Sequence, residues 1–191
     1  MDLYHVVLFL HIVTLLVAAG STAVAKLSLG RRARAHTVRD ALDWHNVLIA
    51  ASKIFPVCLA LFVLTGSYML SVNHVAWSTG FVVAGLAGVA LLLASGIFLA
   101  TKGKALTQML EGMAKSGADQ PAPKLVPPPA LAALPMINSG IALAVAFDMV
   151  TKPTGIASAM SVLAGGIVLG ALVGMRRPSP VRESATSPAM S

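Results

Sequence analysis

Five stretches of this sequence, 3–27, 47–72, 77–101, 130–151 and 155–175, run for about twenty residues or more with hardly a charge. An α-helix needs about 20 apolar residues to cross a ~30 Å hydrocarbon core at 1.5 Å per residue. An open sheet is excluded for such segments, because it would leave backbone polar groups unpaired in lipid. The expectation is an all-α integral membrane protein whose five transmembrane helices form a single bundle over 1–176. Composition decides against a soluble core. Hydrophobic residues make up 57% of the 191 and charged residues 11%, and a water-soluble chain this short has too little interior to hide that much apolar surface.

The formal net charge is +7, which in a soluble protein would suggest nucleic acid. Here the basic residues sit at the ends of the apolar runs. Lys26, Arg31, Arg32, Arg34 and Arg39 follow the first, Lys102, Lys104, Lys115 and Lys124 lie between the third and fourth, and Arg176, Arg177 and Arg182 follow the fifth. With five spans all three groups fall on one side. The other side holds Asn73-His74, with no Lys or Arg, and Lys152-Pro153, with one. The positive-inside rule then places the N-terminus outside and the C-terminus in the cytoplasm, with the basic residues against anionic lipid head groups rather than nucleic acid. The first run carries Asp2 and no Lys or Arg ahead of it and is too long for a signal h-region, so it reads as a retained helix. The Ala-rich composition and the charge asymmetry suit a multi-pass protein of a bacterial inner (plasma) membrane.

The connections carry patterns of their own. Thr37-Val38-Arg39-Asp40 has the spacing of a capping box, so the second helix is expected to begin in water, before the bilayer. Residues 102–129 read as a cytoplasmic amphipathic segment and a linker. Leu106, Met109, Leu110 and Met113 fall at i, i+3, i+4 and i+7, one stripe that extends the third helix along the interface. The five prolines of 118–129 make the rest extended. The Ser/Pro-rich stretch 177–191 reads as a disordered cytoplasmic tail.

Within the spans, Gly166, Gly170 and Gly174 recur at i, i+4 and i+8 and form a helix-packing groove, either inside the bundle or toward other membrane subunits or a second copy. Short outer turns predict antiparallel hairpins of the second span with the third and of the fourth with the fifth. Pro56 lacks an N–H and frees the carbonyl of Ser52, which predicts a bend. Cys58 is the single cysteine and reads as a small buried apolar residue.

Ionisable groups inside lipid are costly, so His11, Lys53 and Asp148 each need a reason. Lys53 lies close enough to the cytoplasmic end to reach the head groups. Asp148 precedes Lys152 by one turn in the favourable acid-first order. His11 leans outward, Tyr68 and Asp148 lean inward, and all three lie in the outer leaflet. This predicts a polar cluster of His11, Tyr68, Asp148 and Lys152. One use of it is structural. Another is an axial ligand at His11 for haem b or copper, with Met69, Met149 or Met160 as soft partners, although the other histidines sit near or beyond the span ends, His5 among them. A third is a proton path.

The runs Leu8-Phe9-Leu10-His11-Ile12-Val13 and Ala146-Phe147-Asp148-Met149-Val150-Thr151-Lys152-Pro153 resemble a family of bacterial integral membrane proteins known only as a domain of unknown function. That family is a four-helix bundle with a histidine in the first helix and a Lys-Pro after the fourth. The resemblance spans 3–153, and this chain departs by adding the fifth helix and the linker. It implies the membrane bundle and no activity. The first helix also resembles copper-resistance and protoporphyrinogen-oxidase-like bundles with an early histidine, whose further motifs are missing here.

There is no nucleophile-base pair, phosphate loop or Cys/His metal spacing in the sequence. The leading expectation is a non-enzymatic accessory or scaffold subunit of a membrane complex. The alternatives are a haem- or copper-binding redox protein centred on His11 and a small proton-coupled transporter.

Overall fold

A computed structural model describes residues 2–124 and 128–175. The predicted tail, with Arg176, Arg177 and Arg182, lies outside the described residues, as do linker residues 125–127. Six helices follow one another: α1 (Leu3–Ala33), α2 (Val38–Ser52), α3 (Ile54–Val72), α4 (Gly80–Gly117), α5 (Pro129–Thr151) and α6 (Ile156–Met175). Among the described residues there is no strand, only an isolated antiparallel bridge between Thr37 and Pro121. The helices form five units long and apolar enough to cross a membrane, because α2 and α3 are two parts of one 35-residue run.

Local chemistry explains the helix ends. Thr37 caps α2, its hydroxyl accepting from the Asp40 N–H at 3.2 Å. The α2–α3 interruption falls at Lys53, one turn before Pro56, where the ring crowds the Ser52 carbonyl and offers it no N–H. Helix α5 stops at Thr151 because Lys152 precedes a proline, which disfavours the right-handed helical region. Lys152 turns left-handed instead, at φ 48°, and its N–H bonds the Asp148 carbonyl at 2.8 Å. The carbonyls of Pro153 and Thr154 then accept from Phe81 and Gly80 at 3.0 and 2.9 Å. The α5–α6 turn thus satisfies two of the orphan N–H groups that open α4.

Packing divides the helices into two units. Helix α1 lies against α2 and α3, and α4 lies against α5 and α6. The main junction between the units is α2 on α4. The expected hairpin of the second and third spans is therefore not formed along its length, since α3 and α4 barely touch. The reason is the small-residue face of α4: Ala84, Gly85 and Gly88 are buried, and Gly88 rests against Val145 and Ile141 of α5 and Leu163 of α6. The predicted stripe of Leu106, Met109, Leu110 and Met113 does continue the helix, to Gly117, and its residues differ in exposure: Met109 is exposed and Leu106 and Met113 are half-buried. Leu110 is fully buried on the helix face that, at Gly103 and Thr107, meets α2.

The predicted pairing of the last two spans is the tightest in the molecule. The glycine groove of α6 faces α5 of the same chain, so it is closed to an outside partner. A Cβ on Gly166 would stand 2.5 Å from the Gly140 carbonyl oxygen, one on Gly170 2.6 Å from that of Met136, and one on Gly174 2.8 Å from Ala133 Cα. Gly140 reciprocates, lying against the Gly166 carbonyl. Gly165, one residue away, has nothing within 4 Å of its Cβ position. Gly166→Ala is expected to destabilise the detergent-solubilised protein by about 1–3 kcal/mol through overpacking. Gly165→Ala is expected to be neutral or to stabilise by roughly 0.5–1 kcal/mol through helix propensity. Thermal denaturation of the two variants side by side distinguishes them, and equal effects would contradict the close α5–α6 approach.

Candidate functional site

The most developed polar site lies where α1, α2 and α4 meet. Two turns after its Thr37 cap, α2 turns His45 onto the face that also carries Val38 and Ala41, and all three are essentially inaccessible. His45 Nδ1 lies 2.9 Å from Arg32 Nη1. A guanidinium only donates, so Nδ1 accepts and the proton is on Nε2. That N–H is shared between Thr107 Oγ1 at 3.0 Å and the Gly103 carbonyl at 3.3 Å. The Thr107 hydroxyl donates to the same carbonyl at 3.0 Å. Buried polar groups are stable when every one is paired, and this set ties three helices together. Burial and the neighbouring Arg32 charge hold the His45 pKa below its ordinary 6.5, and the Gly103 carbonyl offsets part of this.

Flanking the site is a pocket of about 300 Å³ lined by Arg31, Arg34, Ala35, His36, Asp40 and Trp44. The Arg31 guanidinium stands over the Trp44 ring, 5.8 Å from its centroid. Arg39 points elsewhere, toward Asp119 at 3.8 Å. The sequence singles out these arginines only as a charge cluster. The signal that could have separated them is their helical phase, since residues 31 and 34 share a flank of α1 that residue 32 does not.

Among the described residues, the side chains of the four residues predicted to gather in the outer leaflet are not joined by hydrogen bonds or ion pairs, and Asp148 and Lys152 meet only through the backbone. His11 Nδ1 lies 2.7 Å from Thr65 Oγ1, and the Thr65 hydroxyl donates to the Leu61 carbonyl at 2.6 Å. The imidazole N–H therefore donates to Thr65, and the ring meets Phe62 edge-on at 5.1 Å. Tyr68 is half-buried one turn beyond Thr65, and Lys152 is exposed. Asp148 is completely buried, yet among the described residues neither carboxylate oxygen has a hydrogen-bond partner. The separation has a simple cause: α1 packs on α2 and α3, whereas α5 packs on α4 and α6. Among the described residues no group of three His, Cys, Asp or Glu side chains converges as a metal site would.

A second polar link went unread in the sequence. The Ser95 hydroxyl on α4 lies 2.9 Å from Asn138 Oδ1 on α5. The signal was available, because a carboxamide inside an apolar run is as much in need of a partner as a charge. No family model matches the chain, and neither a curated protein nor a solved structure does.

Two outcomes follow from these geometries. His45 is neutral when folded and charges more readily when its surroundings open, so its contribution is unchanged above pH 6.5 and turns unfavourable as pH falls below it. The loss is at most about 1.4 kcal/mol per pH unit. Hydrogen-exchange protection at 38–46 and 103–110, taken relative to the intrinsic rate at each pH, is expected to fall below that pH in the native chain and to lose this dependence in His45→Gln. For Asp148, replacing an unpartnered buried carboxyl by an apolar side chain removes a penalty of about 1–3 kcal/mol. Asp148→Leu is therefore expected to raise the melting temperature in detergent. A fall of similar size would mean that the carboxyl is held by partners after all.

Proposed function

We propose that the chain is a multi-pass membrane protein, N-terminus outside and C-terminus cytoplasmic, of bacterial inner-membrane type, that serves as a non-enzymatic accessory subunit by packing its helices against other membrane proteins. The observation that carries this reading is how little of its apolar surface it uses on itself. Only 11% of the most apolar window of α1, and 11% of that of the α2–α3 run, is buried. Leu16, Leu64, Leu143 and Val150 are among many large side chains turned outward, at 65%, 67%, 70% and 82% exposure. A patch larger than a few hundred Å² on a single chain signals an interaction surface or lipid, and five such helices offer both. With the α6 glycines occupied, the surface left for partners is the outward apolar face of the helices, least covered on α1 and on the α2–α3 run.

The orientation is supported by where the lysines and arginines fall. Arg31, Arg32, Arg34, Arg39, Lys102, Lys104 and Lys115 all lie at the end of the molecule where α1 finishes, α2 begins and α4 finishes. That is the arrangement the positive-inside rule assigns to the cytoplasm. One observation favours a second reading. A carboxyl buried without partners, as at Asp148, is the kind of group that carries a proton through a membrane. Under that reading Asp148→Asn abolishes proton-coupled flux in vesicles while the fold survives.

The test of the first reading combines topology and composition. Reporters fused to the two termini are expected to mark opposite faces. Purification from the native membrane in a mild detergent is expected to yield stoichiometric partner subunits, lost when bulky polar residues replace Leu16 and Leu64. A monomer that is pure and alone under those conditions would overturn the accessory role, and reporters on one face would overturn the membrane topology.

A further inference from the structure

We propose that the seam between α1 and α2 is a binding site for one anionic phospholipid of the cytoplasmic leaflet. The phosphate would lie in the Arg31–Arg34 pocket and an acyl chain along the apolar groove that continues from it. Two hollows carry the argument. The first is the 300 Å³ basic pocket described above. The second, of about 430 Å³, is lined mostly by apolar residues, among them Val17, Gly20 and Val24 of α1 and Val47 and Ala50 of α2, with Ser21 at its edge and Ile54 of α3 at its far end. Neither hollow alone specifies a ligand. Their register does.

At 100° per residue, Val17, Gly20, Val24 and Arg31 fall within about 60° of arc on one flank of α1, with Arg34 just past the helix end, and about 50–90° further round from the middle of that flank come Ser28, Ser21, which also borders the groove, and Arg32. The latter three are the residues the fold uses inward. Ser21 donates to the Ala51 carbonyl at 3.0 Å, Ser28 is fully buried, and Arg32 reaches His45. On α2, Ala50, Val47, Trp44 and Asp40 follow one another on a single face, opposite the face of His45. Val47 of the groove and Trp44 of the pocket are one turn apart on α2, and Val24 and Arg31 two turns apart on α1, so the two hollows succeed one another along the same seam. The result is a track that is apolar toward the middle of α1 and cationic at its end, the shape and polarity of a lipid seen from the side.

Charge complementarity fixes the head group. Arg31 and Arg34 face the pocket, and neither forms an ion pair among the described residues. His36 adds a further donor, and Asp40 is the acidic residue of the lining. Two guanidiniums against one carboxylate leave room for one negative charge, and forked guanidinium donors match phosphate oxygens. Trp44 is an interfacial residue by nature, apolar in body and a donor at its edge. The site rests on the proposed orientation, which puts this end of the bundle at the cytoplasmic head groups.

The test is native mass spectrometry of the full detergent-solubilised chain titrated with phosphatidylglycerol, with phosphatidylcholine and with inorganic phosphate. One phosphatidylglycerol is expected to bind with clear preference over phosphatidylcholine. Arg31→Gln/Arg34→Gln is expected to weaken it about ten- to thirtyfold, at the strength a basic residue contributes near an anionic surface. Gly20→Leu fills the groove where a Cβ meets nothing within 4 Å. It therefore keeps the fold and is expected to weaken the lipid without affecting phosphate. Equal binding of the two lipids would overturn the proposal. So would a loss of the same size in Lys102→Gln/Lys104→Gln, which removes two charges elsewhere, or phosphatidylglycerol binding indifferent to Gly20→Leu. The terminal reporters report separately on orientation, so a wrong topology and an absent lipid site give different results.

Discussion

Helices α1–α3 and helices α4–α6 make two packed units, and the principal surface they share is the crossing of α2 on α4. At its centre stands the His45 imidazole, accepting from Arg32 and donating to Thr107 and the Gly103 carbonyl. Backbone pairing supports the same end: Val38 and Arg39 donate to the Gln120 and Ala118 carbonyls, and Ala122 donates to that of His36. Apolar contact alone gives little direction to helices that are apolar all round, because lipid is as good a neighbour as another helix. A fully satisfied polar crossing has direction. It fixes which faces of α1, α2 and α4 meet, and the outer parts of the two units follow from that.

Two kinds of close contact divide the remaining work. In α5 and α6 the backbones approach through Gly140, Gly166 and Gly170 with no side chain between them. Helix α1 approaches α2 and α3 more loosely and is pinned to them by isolated polar pairs, His11 with Thr65 of α3 and Ser21 with the Ala51 carbonyl of α2. The contrast explains why α1 and α3 leave more apolar surface uncovered than α5 does, 11% against 28% of the corresponding windows being buried. A glycine interface covers area without polar groups, whereas single hydrogen bonds fix a register and leave flanks open.

The helices themselves were legible in the sequence because their length and apolarity are one-dimensional properties. The Thr37 cap and the α6 glycine face could be read for the same reason: each depends on spacing within a single helix. What could not be read was which helix would meet which. His11 and Asp148 were expected to lie at similar depth, and depth follows from counting residues. Neighbourhood instead depends on the small-residue face of α4 choosing α5 and α6 over α3, a choice between faces of similar character. Leu110 and His45 were obscured in another way. Leu110 looked like an interfacial residue by position and His45 lay ahead of the 47–72 span, and the hydroxyl that meets His45 comes from far along the chain, the His45–Thr107 separation being 62.

Helix α4 runs unbroken for 38 residues, about 57 Å at 1.5 Å per residue. It is seized at one extremity by the α5–α6 turn and at the other by α2. An unjointed rod held this way behaves as a lever. A tilt of ~10° about its end at the α5–α6 turn would sweep the far tip through ~10 Å. Because α5 and α6 also pack along it, such a tilt would carry them with it, and a displacement at one end of α4 would be felt at the other.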